Sequence, residues 1–388
     1  MTTLPWPLSV PVLSDGVVTL RAHTPDDLDA MLEMANDPLT QRWTSVPSPS
    51  TPETIRAFAL EVIPRGWDEG RMRGWAIEAE DAEGRPRFAG NVDLRGEGAV
   101  DDIGFALHPW ARGRGLMVRA VRLAVGHVLA ECGVEVVHWR TMVGHEASLR
   151  VAHRCGFSLE GTTRGLLESP RGVHDAWTGT FRFGDTPLPR TPWAEAVPLQ
   201  SSPGSPSVVR LRPMREDDVP RIVEACSDPE TQHWLNGLPR AYTSATARDY
   251  LHDCTWRAAA GLKVTWAVTD PVDDSFVGNV ALMDLGGLNP TTGEVGYWMH
   301  PAARGRGLMA EAVRLVTRHA LDADGLGLHR VSLLAAAGNT ASRRVAAAAG
   351  FRQVGVEREA ELLGDGSVDD LVVHDLLATD PPAERAGS

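Results

Sequence analysis

Two stretches of the chain carry the same turn: HPWARGRGLM at His108–Met117 and, 192 residues later, HPAARGRGLM at His300–Met309. In each, two glycines alternate with two arginines just before a run whose apolar residues recur at helical spacing. Glycine lets a backbone bend tightly and approach a ligand, and the first amides of a helix point outward without intrahelical partners. Combined with the positive end of the helix dipole, this makes a site for an anion such as pyrophosphate. The candidate contacts are Arg112, Gly113, Arg114, Gly115, Leu116 and Met117 in the first copy, and Arg304, Gly305, Arg306, Gly307, Leu308 and Met309 in the second. No Gly-Lys-Ser/Thr follows, so the turn is not a Walker loop, and the GxGxxG spacing of dinucleotide binders is absent. For one copy alone, a tight turn with solvated arginines is an equal alternative. A second copy in the same strand-to-helix context favours the ligand.

The elements around the turn repeat as well. VTLRAHTPDDLDAM (Val18–Met31) parallels VRLRPMREDDVPRI (Val209–Ile222), and NDPLTQRW parallels SDPETQHW. GNVDL matches GNVAL, IGFALHP matches VGYWMHP, and CGFSLEG matches AGFRQVG, with an offset that drifts only from 188 to 194. That period is far longer than a solenoid repeat, so a whole domain is duplicated. The alternation of apolar runs and capped helix starts predicts β-α-α-β-β-β-α-β-α-β-β in each copy. The fold class is therefore α+β, with two tandem domains, each a mixed, mostly antiparallel twisted sheet flanked by helices. The boundaries are residues 1–183, a Pro/Ser-rich extended linker at 184–207, and 208–388.

Composition narrows the function. With 388 residues, 43% hydrophobic and 23% charged, the chain has a globular balance and room for two domains. A formal charge of −13 argues against nucleic acid as a partner and favours a cationic or neutral substrate. No apolar run reaches the roughly 20 residues of a membrane span, and the first residues read as no secretory signal. The four scattered cysteines form no CxxC pair, so neither a disulfide framework nor a metal site is expected, and a cytoplasmic location fits best.

The strand–RGRGLM–helix unit, with NTAS (Asn339–Ser342) and AGF (Ala349–Phe351) after it, resembles the GCN5-related N-acetyltransferases (GNAT), nearest to the RimJ/RimL-type branch. The resemblance runs over nearly the whole chain, once per copy. It implies an acyl-CoA-dependent N-acyltransferase, with acetyl-CoA or another short acyl-CoA as co-substrate and no metal. The family turn reads Q/R-x-x-G-x-G/A; here the last position is Met117 or Met309, a departure that leaves the amide donors in place. By the same resemblance, the backbone at Met299, and at Leu107 in the first copy, meets the thioester carbonyl where two strands splay. Ser342 stands at the N-x-x-S position near the leaving sulfur, started by Asn339, although helix capping explains the pair equally. The tyrosine common in that helix is absent, with Ala346 and Ala152 in its place.

Glu294, on the strand leading into the second turn, is the candidate base that takes the ammonium proton; an exposed edge-strand acid is its alternative. Trp43, Trp234 and Tyr297 are candidate acceptor contacts, with core packing the commoner fate of such aromatics. His108 and His300 are expected to end their strands and be solvated there, with a part in catalysis as the alternative. The first copy has Asp102 for Glu294, Phe105 for Tyr297 and His145 for Asn339, while Ser148 remains. The C-terminal copy is thus the expected catalytic one, acting on a small-molecule amine or a protein N-terminus by direct attack in a ternary complex. A non-catalytic acyl-CoA sensor is the rival reading. Duplication also suggests a family-style dimer within one chain, as a monomer or a homodimer of such chains.

Overall fold

The computed structural model describes residues 10–380 apart from 203, 204 and 206. The first nine residues, read above for a secretory signal, lie outside that range. The chain divides into two compact units between Arg190 and Thr191.

In the first unit the order is β1 (Leu13–Ser14), β2 (Val18–Arg21), α1 (Leu28–Asn36), α2 (Pro38–Trp43), α3 (Pro52–Ala57), α4 (Ile63–Glu69), β3 (Met72–Glu80), β4 (Pro86–Arg95) and β5 (Val100–Leu107). It continues with α5 (Leu116–Glu131), β6 (Val136–Met142), α6 (Glu146–Arg154), β7 (Ser158–Ser169) and β8 (Gly172–Arg182). The eight strands form one sheet in the order β1-β2-β3-β4-β5-β6-β8-β7, and only β5 and β6 pair in parallel.

The second unit repeats this plan: β9 (Leu199–Gln200), β10 (Arg210–Pro213), α7 (Val219–Ser227), α8 (Pro229–Trp234), α9 (Ser244–Ala259), β11 (Val264–Thr269), β12 (Phe276–Met283) and β13 (Thr292–Met299). Then come α10 (Leu308–Leu321), β14 (Arg330–Ala336), α11 (Thr340–Ala348), β15 (Arg352–Leu362) and β16 (Val368–Leu377). Its sheet has the same order, with β13 and β14 as the parallel pair.

The Pro/Ser-rich stretch is shared out by packing. Arg190 Nε donates to the Gly156 carbonyl at 3.0 Å in the first unit. Further on, β9 adds an edge strand to the second sheet, and Trp266 Nε1 donates to the Val197 carbonyl at 2.8 Å. Each core lies between the sheet and its helices. On α10, Leu308, Met309, Ala312, Val313, Val316 and Ala320 are buried at helical spacing against Val280, Leu282 and Val295 of the sheet. Trp75, Trp139, Trp177 and Trp266 are fully buried.

One helical segment departs from expectation. The signal at Thr51–Ile63 predicts a single helix, but Phe58–Val62 is a π turn between α3 and α4. Pro64 lacks the N–H that would continue an α ladder, and the wider turn absorbs that loss. The corresponding α9 has no proline and runs unbroken for 16 residues. Among the described residues no helix is long and apolar enough to cross a membrane, and no group of three or more ligating side chains is placed to hold a metal. All four cysteines are buried and unpaired with one another.

Candidate functional site

The repeated turns begin where a strand outruns its neighbour. β5 pairs with β6 only from Val100 to Ile103, and β13 pairs with β14 only from Thr292 to Glu294. Beyond those points Gly104–Leu107 and Val295–Met299 keep their antiparallel partners β4 and β12 and open away from the parallel strand. The glycines of GNV permit this. A Cβ on Gly90 would overlap the Ala106 carbonyl, and one on Gly278 would lie 2.7 Å from the Trp298 carbonyl. Leu107 and Met299 are thus the last residues of the splayed strands, directly before the turns.

Within the turns, Gly113, Gly115, Gly305 and Gly307 have φ of +75°, +75°, +76° and +74°, a region that favours glycine. Gly115 and Gly307 are the N-cap residues of α5 and α10, which begin with Leu116–Met117 and Leu308–Met309. A Cβ at Gly113, Gly115 or Gly305 would meet nothing within 4 Å, so backbone conformation and open space characterise the cradle. Those features fit a pyrophosphate received by helix-start amides.

The arginine side chains have partners within the protein. Arg112 donates to Asp37 Oδ2 at 2.6 Å and to Thr40 Oγ1 at 2.9 Å. Arg304 repeats this with Asp228 at 2.6 Å and Thr231 at 2.7 Å, and adds Glu230 at 2.7 Å. Asp37 and Asp228 also cap α2 and α8. The repeats DPLTQ and DPETQ are therefore locked to the repeats RGRG, a link that neither motif discloses alone. Arg114 donates to the Glu80 carbonyl at 3.0 Å, and Arg306 to Asp270 at 3.0 Å.

In the second unit, side chains alternate across β13. Val295, Tyr297 and Met299 pack with the α10 core, whereas Trp298 packs with the α7–α9 cluster. By that alternation Glu294 and Gly296 share the α7–α9 face. The Glu294 carboxylate has no hydrogen-bond or ion-pair partner among the described residues, and partial burial with Asp284 and Glu361 nearby raises its pKa above the ordinary glutamate value. On the opposite face the Tyr297 hydroxyl lies 2.9 Å from Ser342 Oγ and donates to the Ser342 carbonyl at 3.2 Å. Burial pushes its pKa up to about 12, so it stays protonated. Asn339 Oδ1 accepts from the Ser342 amide at 3.0 Å and caps α11. Tyr297, expected as an acceptor contact, thus touches Ser342, the serine that the resemblance puts near the leaving sulfur. Trp234 lies 3.5 Å from the place a Cβ on Gly338 would occupy.

The first unit wires the same positions differently. Ser148 Oγ accepts from the Trp139 indole at 3.0 Å, since Phe105 offers no hydroxyl. His145 stacks on Trp43 with ring centroids 4.8 Å apart and an interplanar angle of 5°. Its Nδ1 lies 3.0 Å from Thr141 Oγ1, and burial lowers its pKa to about 4, leaving the ring neutral. Asp102, at the position of Glu294, is held by Arg140 at 2.6 Å. Asp101 forms a buried pair with Arg73 at 2.6 Å, where the second unit has Gly293 and Val264.

A cavity of about 300 Å³ in this unit is lined by Trp43, His145, Ser148 and Asp93, among others. Asp93 escaped the sequence reading. Its signal was the one acid in GNVDL, where the second copy has Ala281.

The histidines before each turn correct an expectation. His108 and His300 are 3% and 6% exposed, so neither is solvated. His300 Nε2 bonds Glu224 at 2.9 Å and its Nδ1 accepts from the Ala302 amide at 3.2 Å, fixing the turn from inside.

The family described as "Acetyltransferase (GNAT) domain" matches residues 18–158 and 209–352. YdaF of Bacillus subtilis (strain 168), assigned as a ribosomal N-acetyltransferase, is 34% identical over 113 residues, 29% of this chain and 60% of that protein. YjcK of the same organism, assigned as an N-acetyltransferase, is 38% identical over 89 residues, 22% of this chain and 47% of that protein. The chain spans about half the length of these curated relatives. Among solved structures, Mycobacterium smegmatis RimJ in complex with CoA-disulfide has a TM-score of 0.42 at 22% identity, covering 49% of this chain and 92% of its own. The two matched ranges fall one in each compact unit, and the chain belongs to the GNAT acetyltransferase family, with a domain of that family in each half.

Proposed function

We propose that the C-terminal domain transfers an acetyl or other short acyl group from acyl-CoA to a primary amine, by direct attack in a ternary complex. The observation that carries this reading is the Glu294 carboxylate: half-buried, unpaired among the described residues, and raised in pKa where β13 leaves β14. Such a group is suited to take a proton from an ammonium near neutral pH. The freed nitrogen attacks the thioester carbonyl, whose oxygen is received by the backbone at Met299. The carbon–sulfur bond then breaks, the Ser342 hydroxyl, held by Tyr297 at 2.9 Å, hydrogen-bonds the departing thiolate, and a second nitrogen proton passes to that sulfur. The amides of Gly305–Met309 hold the pyrophosphate, while Arg304 holds the turn on α8.

The acceptor in this reading is a small-molecule amine or a protein N-terminus; the assigned ribosomal activity of YdaF supports the second. The test is an acyl-CoA by amine screen followed by thiol release and mass, run on the full chain and on Gly307→Glu and Gly115→Glu. Loss of turnover of the best acceptor with Gly307→Glu alone supports the assignment. Loss with Gly115→Glu alone reverses it.

A further inference from the structure

The first domain keeps the turn and the splay but has its Glu294 counterpart tied to Arg140. A second carboxylate stands nearby on the neighbouring strand. Asp93 on β4 pairs across to Gly104, so its side chain lies on the same sheet face as Asp102, two residues further along β5 toward the turn. Gly104 makes room for it: a Cβ there would lie 3.3 Å from Asp93 Oδ2. Asp93 is 6% exposed. Its carboxylate is ion-paired with Arg95, whose Nε lies 2.7 Å from Oδ2 on a side chain that is 57% exposed. Burial raises the Asp93 pKa above the ordinary aspartate value, as suits a proton acceptor.

The carboxylate lines the 300 Å³ cavity, and so does Ser148, the counterpart of Ser342. The splayed segment Gly104–Ala106 borders the same space. One chamber therefore holds a proton acceptor, the open strand edge and the serine at the leaving-group position. Its other walls are mixed: Met31, Met34, Trp43, Phe58, Phe105 and the neutral His145 alternate with uncharged polar residues such as Thr44, Asn91 and Thr141. Arg95, Arg140 and Glu168 supply its remaining charges. The volume falls at the low end of small-molecule sites. A carboxylate set in an aromatic box suits an organic ammonium, by charge and by cation–π contact.

We propose that this cavity is a second acceptor site, for a small arylalkyl ammonium, in which Asp93 replaces Asp102 as the proton acceptor. This rests on the reading that each glycine turn holds an acyl-CoA. The ammonium displaces the exposed Arg95 side chain and gives one proton to Asp93. A nitrogen–carbon bond forms at the thioester carbonyl and the carbon–sulfur bond breaks. A second nitrogen proton passes to the thiolate, and Asp93 returns its proton to solvent.

The test uses the full chain carrying Gly307→Glu, with acetyl-CoA and 2-phenylethylamine as probes, read by calorimetry and thiol release. The expected result is one equivalent of coenzyme A bound, 2-phenylethylammonium bound, and thiol released. Adding Asp93→Asn, or Asp93→Ala as in the second domain, lowers the rate about 100-fold or more with the coenzyme equivalent intact. Adding Asp102→Asn changes it less than about threefold, as expected of an exposed ion pair. Neither amine binding nor thiol release, with coenzyme still bound, overturns the site, and an Asp93 variant as fast as its parent overturns the role of Asp93. Failure of the underlying reading looks different, because the unmodified chain then binds no coenzyme A.

Discussion

The two domains share a frame and differ in wiring. Arg21 with Asp27 and Arg212 with Asp218 clamp the start of each first helix, at 2.8 Å in both. Arg112 with Asp37 and Arg304 with Asp228 fix each turn, at 2.6 Å in both. The differences cluster around the splayed strand: the unpaired Glu294 against the Arg140-bound Asp102, Tyr297 against Trp139 as partner of the serine, Asn339 against His145. Duplication has kept what places the backbone and changed the polar side chains beside it. Shared geometry therefore says little about whether the two halves act on the same amine.

Four substitutions bear on that contrast. The largest effect is expected from Glu294→Gln in a Gly115→Glu chain, where turnover by the second domain drops about 10²–10⁴-fold. In the parent, kcat/KM rises with pH as Glu294 loses its proton, and the glutamine removes that limb; a pH–rate profile reads both. Next, Arg73→Val copies the second domain and leaves the buried Asp101 without its cation. A loss of about 3–5 kcal/mol is expected in denaturant melts, of which Arg73→Val with Asp101→Gly recovers more than half.

His145→Asn acts through pH. The folded imidazole titrates near 4, below its ordinary value, so it contributes stability fully above about pH 6.5 and loses it as pH falls toward 4. The asparagine should flatten that acid limb by roughly 3 kcal/mol, measured as melts of the wild type and variant at pH 7 and pH 4. The smallest effect belongs to Tyr297→Phe, which gives the second domain the ring of Phe105. Losing one neutral hydrogen bond to Ser342 should slow kcat about 5- to 10-fold, with KM for acyl-CoA unchanged.

Much of the fold was legible in the residues because each signal was local and came twice. Capping threonines, the glycines after α6 and α11, and the apolar period of α5 and α10 all found their elements. The backbone geometry of the candidate site was legible where a motif sets it, as in the turns and the strand ends at Leu107 and Met299. Groups that meet only across strands or between distant helices were hidden. The link from Arg304 to Asp228 spans 76 residues, and that from Tyr297 to Ser342 spans 45. Asp93 gains its meaning from Gly104 on the adjacent strand. His108 and His300 misled because a polar residue before proline reads as a solvated strand end, whereas both rings are buried and that of His300 accepts from the Ala302 amide of the turn.

The Arg112–Asp37 and Arg304–Asp228 bonds also have an evolutionary reading. Each joins the loop before one helix to the cap of another and so ties the two motifs together in both domains, whereas the contacts of Asp93, His145 and Tyr297 belong to one domain each. A gene encoding two such domains carries heritable hardware beside freely editable chemistry, and that separation lets one half acquire a new acceptor while the other keeps its own.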